Sequence, residues 1–176
     1  MILSKINNKI LVLIIIFLLV LSRLIPHPPN FSPVLAVSIF TGIKFKNHFF
    51  AYMIPVFAMF ISDFFLGFHN GIFVIYGTLL FAAILARNFN KIHIASVFSS
   101  CLFFLTTNFQ VWIMSASYSK DIPGFVECFS LAIPFFGMTL ISTLLFSYSF
   151  FYVYSFITSI PTYQKILKGL AYIPQQ

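Results

Sequence analysis

The chain has 176 residues, of which 60% are hydrophobic, 20% aromatic and 7% charged, with a formal net charge of +7. Soluble domains average about 45–50% apolar and about 25% charged residues. Ten bases and three acids cannot cover a water-facing surface of this size, so an ordinary soluble domain is excluded. The length fits one membrane domain over residues 1–176, without a nucleotide-binding or catalytic domain beside it.

Six hydrophobic segments are read in chain order: Ile10–Ile25, Phe31–Ile43, His48–Phe68, Ile72–Ala86, His93–Ser115 and Phe129–Ser155. Helix-breaking stretches separate them, among them His27-Pro28-Pro29-Asn30, His69-Asn70-Gly71 and Ser119-Lys120-Asp121-Ile122-Pro123-Gly124. This pattern predicts an all-α, polytopic fold of six transmembrane helices. The first segment follows Lys5 and Lys9 as a secretory signal would, but Ser22-Arg23-Leu24-Ile25-Pro26 has no small-x-small cleavage site, so it reads as an uncleaved helix. The second is short: as a helix it reaches about 20 Å, against a hydrocarbon core of about 30 Å. It either spans with Lys44 and Lys46 snorkelling or is re-entrant. Pro55 and Pro134 interrupt the third and sixth, where a kink opens an outward cavity or simply curves the helix for packing. Ser38/Gly42, Ala82/Ala86 and Ala95/Ser99 have the small-xxx-small spacing of close helix approach, within the chain or toward a partner.

With six spans and the amino terminus inside, Lys5, Lys9, Lys44, Lys46, Arg87, Lys91, Lys165 and Lys168 share the inner face, leaving Arg23 and Lys120 outside. The positive-inside rule therefore predicts cytoplasmic N- and C-termini. A second segment that does not span gives a weaker asymmetry, yet the last four helices keep their orientation. Bases scattered at helix ends are explained by topology and anionic lipid, so membrane lipid is expected as a partner and nucleic acid is not.

Ionisable groups inside a membrane are costly, about 2.5–3.5 kcal/mol on insertion scales, so the few that occur are informative. Asp63, His69, Asn108, Trp112 and Glu127 fall at the outer ends of the third, fifth and sixth segments, and six spans add Arg23, His27 and Asn30 from the first loop. These eight are the candidate substrate-binding residues. Each has a structural alternative: an Arg23–Asp63 ion pair, interhelical hydrogen bonding by Asn108, interfacial seats for His27, His69 and Trp112, and a helix-dipole position for Glu127, read as opening the sixth helix. Their shared location at one face carries more weight than any single member.

No phosphate-binding Gly-xxxx-Gly-Lys-Ser/Thr loop, His-Glu-xx-His or Gly-x-Ser-x-Gly occurs. No catalytic residue, metal site or cofactor is assigned, and the chain is not expected to be an enzyme. Cys101 and Cys128 fall in opposite halves of the bilayer, so two free thiols are predicted.

Arg23-Leu24 with His27-Pro28-Pro29-Asn30-Phe31-Ser32-Pro33-Val34, Ser62-Asp63-Phe64-Phe65-Leu66-Gly67-Phe68-His69, Thr107-Asn108-Phe109 with Trp112, and Ala132-Ile133-Pro134-Phe135-Phe136 resemble an uncharacterised bacterial family of integral-membrane transport proteins. More distantly, the chain is similar to the substrate-binding S components of energy-coupling factor transporters. That resemblance implies a multi-pass protein of the bacterial inner membrane that captures a small micronutrient solute at the outer face. It also implies a transmembrane coupling protein and cytoplasmic ATPases as partners. One departure stands out: Leu11 to Leu21 lacks the alanine-xxx-alanine face that S components often carry on the first helix, leaving Ser38/Gly42 or Ala82/Ala86 to substitute. The alternatives are a non-transporting membrane scaffold or assembly subunit, and an intramembrane enzyme using Asp63, His69 and Glu127.

Overall fold

Large aromatic side chains lie outside and small ones inside: Phe64, Phe65 and Phe73 are 70%, 67% and 89% exposed, whereas Ala36, Ala58, Ala82, Ala83 and Ala95 are completely buried. A computed structural model describes residues 8–159 apart from Asn90, and these form six α-helices. They are α1 (Asn8–Leu24), α2 (Val34–Lys44), α3 (His48–Leu66), α4 (Ile72–Ala86), α5 (Ile92–Met114) and α6 (Ile122–Ser159). Apolar bulk on the surface with small and hydroxyl side chains within is the arrangement lipid favours, since helices there associate by close packing and interhelical hydrogen bonds. Three helices, α3, α5 and α6, are long and apolar enough to cross a membrane, and α1, α2 and α4 contribute shorter apolar stretches. The chain is a helical membrane protein.

The short second segment is the hub. Helix α2 touches α3, α4, α5 and α6, while α1 packs chiefly on α3. Eight of its eleven residues are buried. Gly42 lies so close to Ala83 that a Cβ there would overlap the Ala83 carbonyl, a close approach of α2 to α4. The three small-xxx-small pairs are thus spent inside the chain: Ser38, Gly42, Ala82, Ala86, Ala95 and Ser99 are all buried, which removes them as a docking face for a coupling partner.

Several boundaries differ from the sequence reading. Helix α6 begins at Ile122 rather than Phe129, because Asp121 caps it: its Oδ1 accepts from the Gly124 amide at 2.9 Å, and Pro123 fits the first turn. Glu127 therefore lies in the second turn of α6 instead of opening it. Helix α2 begins three residues later than the hydrophobic segment, since Asn30 to Pro33 form an irregular entry in which Asn30 has φ 60°. Asparagine tolerates this left-handed conformation better than most residues. Helices α3 and α6 run on through Pro55 and Pro134, neither of which borders the cavities described below.

The α5–α6 connection is held by one cation. Lys120 Nζ donates to the carbonyls of Trp112, Ser115 and Tyr118 at 2.5, 2.5 and 3.0 Å, satisfying acceptors at the carboxyl end of α5. Lys120→Met is expected to leave insertion intact but raise amide hydrogen exchange across 112–121 several-fold. Asp121 adds a pH dependence. The Ser119 hydroxyl and the Gly124 amide hold its carboxyl below the usual value, so its contribution to the turn is present at neutral pH. That contribution is lost as pH falls through the lowered pKa, and exchange at Gly124 should rise there in the native chain but not in Asp121→Asn.

The two ends of the helix bundle differ in charge. Lys44 lies over the rings of Phe151 and Tyr154, at 5.0 and 4.6 Å, and Arg87 donates to the Phe45 carbonyl at 3.2 Å, so these bases share one end. Lys5, Lys165 and Lys168 lie outside the described residues. Cys101 and Cys128 are both free thiols.

Candidate functional site

Arg23, in the last turn of α1, reaches Asp63 near the end of α3, with Nη1 2.6 Å from Oδ1. The Asp63 side chain is 1% exposed and that of Arg23 15%. Nη1 also donates to the Ser62 hydroxyl and, at 3.2 Å, to the Met59 carbonyl. The second Asp63 oxygen accepts from the Tyr76 hydroxyl of α4 at 2.7 Å. Three helices are thus joined at one end by a buried carboxylate with both oxygens engaged. A charge pair so placed holds only because each partner satisfies the other, and loss of either leaves a buried ion uncompensated.

Above this cluster opens a cavity of about 360 Å³. Its polar lining is Arg23, His27, Asn30, Ser32, Thr139 and Thr143, and its apolar wall includes Met59, Leu66, Ile75, Leu79 and Phe103. The irregular chain that precedes α2 reaches the middle of α6, where Ser142 donates to the Asn30 carbonyl at 3.3 Å and the Phe31 and Phe146 rings lie 5.6 Å apart. Non-helical backbone beside the middle of a membrane helix is tolerated where it is buried in protein or borders a cavity, and here His27, Asn30 and Ser32 border the cavity while Pro33 is buried.

The eight candidate residues fall into three groups. Arg23, His27 and Asn30 border the cavity, and Asp63 lies behind Arg23 without lining it. His69 borders a second, more open cavity of about 380 Å³ with Asn70, Thr107 and Gln110, where Gln110 donates to the Asn70 carbonyl at 2.8 Å. Asn108, Trp112 and Glu127 line neither. The Asn108 amide donates to the Phe104 carbonyl one turn back on its own helix, at 2.8 Å. The Trp112 indole donates to the Ser119 carbonyl at 2.9 Å, and its ring packs against Phe109 and Phe125. Glu127 is exposed on α6.

Sequence reasoning passed over Tyr76, Ser62, Thr139 and Thr143. A signal for the last two exists: Thr139, Thr143 and Ser147 recur every four residues on α6, one face of a helix, and all are buried. Ser62 adjoins Asp63 in sequence. Tyr76 has no local signal, because its partner is set by how α4 packs on α3.

No curated protein and no solved structure matches the chain. A family model matches residues 4–166, nearly the whole chain, and carries no functional description. On that match the chain belongs to the family of unknown function designated DUF6580.

Proposed function

We propose that this protein is an S-component-like membrane transport protein that binds a small micronutrient solute in the cavity bordered by Arg23, His27 and Asn30, for uptake driven by partner subunits. In this reading all six helices cross the bacterial inner membrane, with α2 as a half-length helix completed by the irregular chain before it. The N- and C-termini are cytoplasmic. The cationic end carrying Lys44 and Arg87 supports that orientation under the positive-inside rule. The observation that carries the reading is the cavity itself: a recess of about 360 Å³ with apolar walls and a few convergent polar groups, within the size range of small-molecule sites. ATP would be hydrolysed by a coupling protein's ATPase partners, since this sequence has no phosphate-binding loop of its own.

Native mass spectrometry of the protein purified in mild detergent tests this. A bound small molecule, or co-purification of a transmembrane protein with ATPases, supports transport. Asn30→Val, which strains the φ 60° entry to α2, is expected to cut retention of such a molecule at least tenfold, while Asn30→Gly retains most of it. A stable complex with unrelated subunits and an empty cavity instead supports a non-transporting scaffold. That second reading has its own observation: both Asp63 oxygens are occupied by Arg23 and Tyr76, which ties three helices together whatever the cavity holds.

A further inference from the structure

The guanidinium of Arg23 is only partly used. All of its hydrogen bonds leave from Nη1, to Met59, Ser62 and Asp63. Nε and Nη2 have no partner among the described residues, although the side chain is 15% exposed and borders the cavity. These two nitrogens form the side-on fork of arginine, two parallel N–H donors matched to the two oxygens of a carboxylate. The rest of the polar lining is also rich in donors. Thr143 is fully buried and its hydroxyl has no hydrogen-bond partner among the described residues, and Asn30 and Ser32 stand on the same cavity, whereas the Thr139 hydroxyl already donates to the Phe135 carbonyl at 3.0 Å. Among the described residues no carboxylate lines it: Asp63 is turned to Arg23 Nη1 and Tyr76, with almost no exposed surface.

We propose that the cavity takes a small amphiphilic monocarboxylate, its carboxylate seated on the free Nε/Nη2 fork of Arg23 and its apolar body against Met59, Leu79 and Phe103. This inference rests on the solute-binding reading above and narrows it to a chemical class. Asp63 already neutralises Arg23, so even a single ligand charge has only the fork, the hydroxyl and amide donors and the His27 imidazole to receive it, and a dianionic phosphate would find no further cation in the lining. The apolar wall excludes compact, fully polar anions, which would forfeit hydration without finding partners there.

Equilibrium dialysis of the protein in lipid nanodiscs, with empty nanodiscs subtracted, tests this using two acids, 3-phenylpropionate and hexanoate, and their primary amides. The expected result is saturable binding of at least one acid, with its amide bound at least tenfold more weakly. Arg23→Lys keeps an ammonium for Asp63 but removes the fork, and should weaken acid binding at least tenfold while leaving amide binding unchanged. Should that variant fail to fold, Thr143→Val serves, because Thr143 has no hydrogen bond to lose; a severalfold weakening of acid binding is expected. Equal binding of acid and amide overturns the carboxylate inference and leaves the solute-binding reading standing. Absence of saturable binding by all four probes overturns the carboxylate inference, and only an empty cavity in native mass spectrometry overturns the solute-binding reading.

Discussion

Asp63→Ala is expected to destabilise the protein by about 3–5 kcal/mol, the cost of stripping a buried ion of its partner. The direction follows from the geometry. Arg23 would keep its place at the end of α1 with only the Ser62 hydroxyl and the Met59 carbonyl to receive its charge, and the Tyr76 hydroxyl would lose its acceptor. Removing the pair together should be far milder. The double variant Arg23→Met, Asp63→Leu restores apolar packing without leaving a lone ion, and buried pairs replaced in this way are often neutral in stability. Tyr76→Phe removes one hydrogen bond to a charged acceptor and should cost about 1.5–3 kcal/mol. Thermal unfolding of the three variants and the native chain in one detergent gives the comparison. Equal losses for the single and double variants would show that the ion pair contributes little, and that packing at the helix ends dominates.

The second large effect is steric. Gly42→Ala should cost about 1–3 kcal/mol, as insertion of a methyl into a filled interface typically does. At this position the added carbon meets the Ala83 backbone rather than a side chain that could rotate away. The required adjustment is a shift of α2 against α4, and because α2 also touches α3, α5 and α6, relief at one contact creates crowding at another. Gly77→Ala is the matched control. It lies on α4, exposed, with nothing among the described residues within 4 Å of an added Cβ. Alanine there should stabilise the helix by about 0.5–1 kcal/mol through lost backbone freedom in the unfolded chain. Opposite signs in thermal unfolding are therefore expected from the same chemical change at two glycines; equal signs would dismiss the close approach of α2 to α4.

The order and placement of the helices were legible because each depends on local hydropathy and local breakers. The α4 boundaries agree residue for residue with the hydrophobic segment, bracketed by Gly71 and Arg87. The α6 start was misplaced by seven residues because Asp121 acts as a cap through its side chain, whereas hydropathy registers it only as polar. Of the candidate site, the Arg23–Asp63 pairing was open to inference from charge scarcity alone, since two opposite ions at the same bilayer depth attract. The grouping of Asn108, Trp112 and Glu127 with them was a statement about depth, and depth does not fix azimuth. Those three share an end of the bundle with Arg23 yet point to their own helix, to the α5–α6 turn and to the exterior. Tyr76 and Thr143 were invisible for the complementary reason: their significance comes from facing a neighbour, and sequence spacing reports only faces of one helix.

The central position of α2 bears on how the chain is made. A segment of eleven helical residues is too short to hold a transbilayer place by its own partition energy, and the walls that enclose it are α3, α4, α5 and α6. All four of those walls are synthesised after it. A nascent chain halted at Leu66 has α1 and α3 as a possible pair, but α2 without its contacts to Ala83 and α6. The hub should therefore settle last although it emerges second, and its final seating awaits the arrival of α6 from the ribosome. Until then Thr139 and Thr143, which line the cavity from α6, are missing, so the cavity is complete only at the end of biogenesis.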